Sequence, residues 1–143
     1  MSFFSALKIA GGALDAERMR ADLATSNLAN ANATRSPEGG PYRRRDAVLR
    51  SVPTEGAFQG RLERAIRGVR LERVVTDPRP PREVFNPAHP DADERGVVRL
   101  PNIQMVEEMV NLLNAQRSYE ANLQSILASR DMALRALRIG RTS

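Results

Sequence analysis

The only histidine of the chain, His89, lies in the run Asn86-Pro87-Ala88-His89-Pro90-Asp91-Ala92-Asp93-Glu94, with Asp77 a little upstream. Imidazole and carboxylate groups so close together could ligate a metal, and hard cations prefer oxygen donors. Calcium and zinc loops need more ligands at fixed offsets than this run supplies, and a turn uses the same Pro-Asp pairs. The segment therefore reads as a turn, and no metal is expected. His89 as a general base lacks a nucleophile in any recognisable frame. Cysteine is absent, which excludes disulfides, thiolate ligands and thiol nucleophiles. Pro37-Glu38-Gly39-Gly40-Pro41 follows no strand, so it reads as a turn rather than a phosphate-binding loop. No catalytic residue and no cofactor emerges, and the chain is expected not to be an enzyme.

Arg43-Arg44-Arg45 is the sharpest charge cluster. Either it meets acidic groups on a neighbouring molecule, or it is solvated beside Asp46. The net charge is +5, carried almost wholly by arginine, since Lys8 is the only lysine. A pI near 10.8 raises nucleic acid or anionic lipid as a partner. The distribution argues against both: residues 35–101 hold fourteen arginines against ten acidic residues, with the signs mixed as in Arg61-Leu62-Glu63-Arg64. No aromatic-rich basic face accompanies them, so no nucleic-acid partner is expected. No stretch approaches the ~20 apolar residues of a membrane span. Met1 to Leu14 lacks the basic start and long apolar run of a cleaved secretory signal.

The elements that carry these residues divide the chain in three: 1–34, 35–101 and 102–143. Steps of four and three from Phe3 give Leu7, Ala10, Leu14, Glu17, Ala21, Ala24 and Leu28, of which only Glu17 is not apolar. That period of about 3.5 residues is a coiled-coil seam, and a helix is expected from about Ser2 to Asn30. Gly11-Gly12 weakens it, at ~1 kcal/mol per glycine relative to alanine; the pair serves either close approach of a neighbour or a bend. Asparagines from Asn27 to Asn32 then terminate the helix.

Residues 35–101 hold all nine prolines. Strand patterns cover Arg43–Arg50 and Val69–Val75, with shorter ones at Val84-Phe85 and Val97–Leu100, while 52–62, containing Gly56 and Gly60, reads as loop. These pieces suit a small β-module of three or four strands that needs a partner.

From Asn102 to Ile139 there is neither Pro nor Gly, a reach of ~57 Å as helix. Asn102 is the expected N-cap, Glu107-Glu108 lie near the positive end of the dipole, and Gly140-Arg141 ends the run. Steps from Met105 give Met109, Leu112, Gln116, Tyr119, Leu123, Ile126, Arg130, Ala133 and Leu137; a second stripe comprises Val106, Val110, Leu113, Leu127 and Leu134. A helix with two apolar flanks meets more than one neighbour. The expected fold is mainly α with a small β-rich insert, its terminal helices paired as an antiparallel coiled coil with short strands and loops between. One apolar flank stays free, which implies association.

Two motifs then carry a resemblance. Thr25-Ser26-Asn27-Leu28-Ala29-Asn30-Ala31-Asn32-Ala33-Thr34 resembles the motif that closes the N-terminal helix in flagellar rod and hook proteins. Arg117-Ser118-Tyr119-Glu120-Ala121-Asn122 resembles the same family's C-terminal signature. Pro37–Arg44, Asn86–Gly96 and Leu100-Pro101-Asn102-Ile103 are similar to segments of its proximal-rod members, and the likeness is weakest over about 52–68. Asn86 and Ala88 stand where the family more often has Asp and Gly, and Val97-Val98 replaces Tyr-Val. The resemblance implies a structural subunit of the flagellar basal body, crossing the periplasm in a helical tube that transmits torque. It implies export without signal cleavage through the flagellar export apparatus, with termini that order on assembly. The implied partners are copies of itself, other rod proteins, the hook–basal body complex and membrane-ring components. Assembly contacts are expected at Leu7, Leu14, Leu28, Met109, Leu112, Tyr119, Leu123 and Ile126. Arg43, Arg44, Asn27, Asn30, Glu120 and Asn122 are further candidates, although helix capping accounts for at least one of the asparagines.

Overall fold

A computed structural model describes residues 3–53 and 67–141. Helix α1 spans Phe3–Ala29. Every described side chain of its heptad from Leu7 to Leu28 is at least partly buried, and the exposed positions (Lys8, Asp15, Arg18, Asp22, Thr25 and Ala29) form one narrow polar stripe. The helix closes where asparagine competes for its backbone: Asn30 Nδ2 donates to the Ser26 carbonyl at 2.9 Å, beside its own backbone N–H at 3.1 Å.

Strand β1, Arg45–Pro53, pairs antiparallel with β2, Arg67–Thr76, through a bulge between Val48 and Leu49 that leaves Glu72 unmatched. Strands β3, Arg82–Phe85, and β4, Val97–Leu100, form a second antiparallel pair. The expected single module is thus two separate two-stranded sheets. Pro78, Pro80 and Pro81 lie between β2 and β3; without N–H groups they cannot extend a ladder from one sheet to the next. Of the loop expected over 52–62, Val52 and Pro53 belong to β1, and the rest, with Gly56 and Gly60, lies outside the described residues.

The long helix α2 spans Met105–Arg141. It begins two residues later than the Asn102 cap would place it. Pro101 and Ile103 are buried, which holds 101–104 in non-helical form, and the Glu108 N–H closes the first turn on the Gln104 carbonyl at 3.1 Å. Gln104 therefore occupies the cap position. At the other end the helix runs through Gly140 to Arg141.

Helix α1 is the element on which the others pack, touching α2, β1 and β2. It lies so close to β2 that a Cβ on Gly12 would come within 2.8 Å of the Val69 carbonyl oxygen, whereas one on Gly11 would meet open space. Close approach, rather than a bend, explains Gly12. The core is small: Ala31, Tyr42 and Ile103, with Ala33 against them, fill the junction between the helix ends.

Candidate assembly surface

Asn27, in the last turn of α1, spends its whole hydrogen-bonding capacity inside the chain. Its Nδ2 donates to the Arg45 carbonyl and to Glu108 Oε2, each at 2.8 Å. Its Oδ1 accepts from the Arg45 N–H at 3.0 Å and the Tyr42 hydroxyl at 3.1 Å. Two donors and two acceptor sites are all a primary amide has. The side chain thus joins the end of α1 to the start of β1 and to the first turn of α2.

Glu108 completes the junction. Its other oxygen, Oε1, accepts from Arg44 Nε at 2.7 Å, and Asn111 Nδ2 lies at 3.4 Å. Both Asn27 and Glu108 are only 1% exposed. Burial alone would depress the Arg44 guanidinium, but bonds to Glu108 and Asp46 outweigh it and raise its pKa. A buried ion pair is tolerated when its remaining groups are satisfied, and no described buried side-chain N or O lacks a partner.

The arginine cluster therefore splits. Arg44 enters the junction, while Arg45 lies 5.7 Å from the Tyr42 ring centroid and pairs with Glu38 at 3.1 Å. Arg43 is exposed and makes no ion pair among the described residues.

Along α2 the covered positions after Glu108 are Asn111, Leu112, Ala115, Ser118, Asn122, Ile126, Ser129 and Ala133. After the adjacent first pair they recur every three or four residues, and they are mostly small or polar. Contacts with α1 climb one helix as they descend the other. Asn27 meets Glu108, whereas Glu17, Arg18 and Ala21 share a cleft with Ala115, Gln116, Tyr119 and Glu120.

The stripe drawn from Met105 is not the one turned toward α1. Leu112 and Ile126 are partly covered, but Met109, Tyr119 and Leu123 are exposed, as is Glu120. With Val106 at 76% and Leu113 at 53%, and with Val110, Leu127, Leu134 and Leu137, they make a long apolar surface. Contiguous apolar exposure on that scale marks an interaction site. Helix α2 thus offers a small-residue face to its own chain and a large apolar face to the outside. Sequence reasoning missed the burial of Glu108 and Tyr42; the seven-residue spacing of Glu108, Ala115, Asn122 and Ser129 was the available signal.

The acidic loop forms turns. Asp77 pairs with Arg79, Asp91 accepts from Thr34 Oγ1 at 2.6 Å and pairs with Arg35, and Asp93 Oδ1 accepts from the Arg95 and Val97 N–H groups at 2.9 Å. His89 Nδ1 accepts from the Asp91 N–H at 3.0 Å. Gly96 has φ +74°, and a Cβ there would strike Pro87 Cγ at 2.9 Å, so the loop closes only on glycine. Among the described residues no helix is long and apolar enough to cross a membrane.

The amino-acid sequence is similar to those of named proteins. Residues 94–139 match the family described as "Flagellar basal body rod FlgEFG protein C-terminal". The chain is 38% identical to the flagellar basal-body rod protein FlgC of Yersinia enterocolitica, over 98% of this chain and 99% of the relative. It is also 38% identical to the FlgC of Borreliella burgdorferi, over 97% and 98% of the two chains. Against the FlgC of Bacillus subtilis the identity is 36%, over 99% of this chain and the whole relative. The chain belongs to the flagellar basal-body rod protein FlgC family.

Proposed function

We propose that, as a member of that family, the chain is a non-enzymatic structural subunit of the bacterial flagellar basal-body rod. Likeness at 36–38% identity over nearly the whole length to three FlgC proteins supports the assignment, and the exposed apolar face of α2 carries the mechanism. That face joins neighbouring subunits, copies of the chain and other basal-body proteins, in a helical tube that transmits torque. A head-to-tail lattice needs two unlike faces on each subunit. The outer stripe of α2 is one, and the other is the surface that receives it.

In this reading 1–34 and 102–143 form a coiled-coil unit and 35–101 an insert between them. The anchors are Met109 and Leu123, exposed on α2, and Tyr119 at the edge of the cleft with α1, with Leu112, Ile126, Leu7, Leu14 and Leu28 as partly buried candidates. Arg43 is the free charge of its cluster, and Glu120 lies beside Tyr119 at the cleft. Asn27, Asn30 and Arg44 act from within the subunit, by holding the helix ends. The chain passes through the flagellar export apparatus and rests against membrane-ring components at the base of the rod.

The test is an isolated basal body imaged from cells whose only copy is this chain carrying a small epitope. Density for the chain within the rod, with α2 against a neighbouring subunit, is expected. Rods that form without the chain would overturn the assignment.

A further inference from the structure

Burial of apolar area favours turning the large side chains of α2 inward, at about 1.5–3 kcal/mol for each one fully covered. Yet Met109, Val110 and Leu113 face out while Ala115, at 0% exposure, faces α1. Alanine on alanine specifies position weakly, because one shallow contact resembles the next, and α1 offers several: Ala16, Ala21 and Ala24. Something else must choose the register.

We infer that the buried Asn27–Glu108 contact is a register key, which fixes the axial position and rotation of α2 on α1. Each Glu108 oxygen has a close partner, Asn27 at 2.8 Å and Arg44 at 2.7 Å. Turning α2 by one residue, about 100°, would carry the carboxylate out and leave one Asn27 N–H and the Arg44 Nε without their acceptors. Sliding it by one turn so that Leu112 took its place would set an apolar side chain against them. A buried polar group that specifies register at some cost in stability is known for helix pairs. Here the key is also tied to the Arg45 backbone through Asn27. The β1–β2 sheet and the outer stripe of α2 are therefore held in one fixed relation. The purpose, presenting that stripe to a neighbour, rests on the proposed rod function; the register itself does not.

Absence of cysteine allows a direct test in the purified full-length chain. Ala21→Cys is combined with Ala115→Cys, the fully covered α2 position of the same cleft. In parallel it is combined with Leu112→Cys, reporting a slide, or Leu113→Cys, reporting a rotation. Disulfide formation requires Cα atoms within about 7 Å. The native pair should form at least about tenfold faster than the others, both in the parent and with Glu108→Gln, which can still accept from Asn27. With Glu108→Leu that preference should fall to within about threefold, as registers mix. Retention of the tenfold preference in Glu108→Leu would overturn the inference, and so would its absence in the parent. Loss of every cross-link in Glu108→Leu would overturn it too, because the contact would then hold the helices together rather than select among registers. A chain with the native pattern that builds no rod would count against the rod function and leave the key intact.

Discussion

Asn27 and Glu108 share a 2.8 Å hydrogen bond across 81 residues of sequence, in a contact closed to solvent on both sides. Around it Tyr42 and the Arg45 backbone use every remaining site of Asn27, and Arg44 takes the other Glu108 oxygen. The junction is polar where most helix pairs are greasy, and its consequence is an α2 whose large apolar side chains face away from its own chain.

Asn27→Ala removes four hydrogen bonds and leaves the Arg45 N–H and carbonyl and one Glu108 oxygen without a partner. Each orphaned buried group costs about 1–3 kcal/mol, so a loss of roughly 3 kcal/mol or more is expected in urea unfolding. Asn27→Asp should be at least as damaging, since it sets a second carboxylate against Glu108. A loss below about 1 kcal/mol would show that water replaces the amide.

Gly11 and Gly12 should respond in opposite directions. Gly11→Ala meets open space and gains helix propensity, stabilising by about 0.5–1 kcal/mol. Gly12→Ala drives a methyl to 2.8 Å from the Val69 carbonyl oxygen, a backbone atom that cannot swing aside, and should destabilise by about 1–3 kcal/mol. Thermal unfolding of the two variants separates close packing from a bend.

Much of this was legible beforehand. Both helices, the four strand centres and the glycine turn at 39–40 follow from periodicity and turn chemistry. The rotation of α2 did not. Periodicity finds the greasiest stripe, here through Met109, Tyr119 and Leu123, and in a lone globular protein that stripe faces the core. Here that stripe is turned away from the chain's own core, and what packs at home is Ala115 with Glu108. The helix start was misjudged for a related reason: Asn102 has the chemistry of a cap, but burial of Pro101 and Ile103 overrides local preference. Asn27 looked like a helix terminator, and only the fold brings Arg45 and Glu108 to it.

Acid should loosen the loops in a defined window. Side-chain and backbone hydrogen bonds from Arg79 hold Asp77 at about 2, against an ordinary 3.8. Thr34, then Arg35, lowers Asp91, and the Val97 and Arg95 N–H groups lower Asp93. A carboxylate held below its unfolded value binds protons less readily in the native state, so it stabilises above that value and loses the contribution as pH falls. Unfolding midpoints should therefore decline between about pH 4 and pH 2 from these groups. Asp77→Asn should flatten part of the decline. An unchanged slope would show that the Arg79 pair is broken in solution.

The two faces of α2 should tolerate charge very differently in the isolated chain. Leu113→Lys, on the outer stripe, is expected to shift the unfolding free energy by no more than about 0.5–1 kcal/mol. Ala115→Lys, at the fully covered position, should cost about 3 kcal/mol or more. Equal effects would mean that both faces pack within the monomer.

The most direct measurement counts rods. In cells whose only copy carries Leu113→Lys and Leu127→Lys, the chain should be present at the parental level, while electron micrographs of isolated basal bodies show no rods and the cells do not swim. Rods in parental numbers on such basal bodies would contradict the claim that the outer stripe of α2 is the assembly surface.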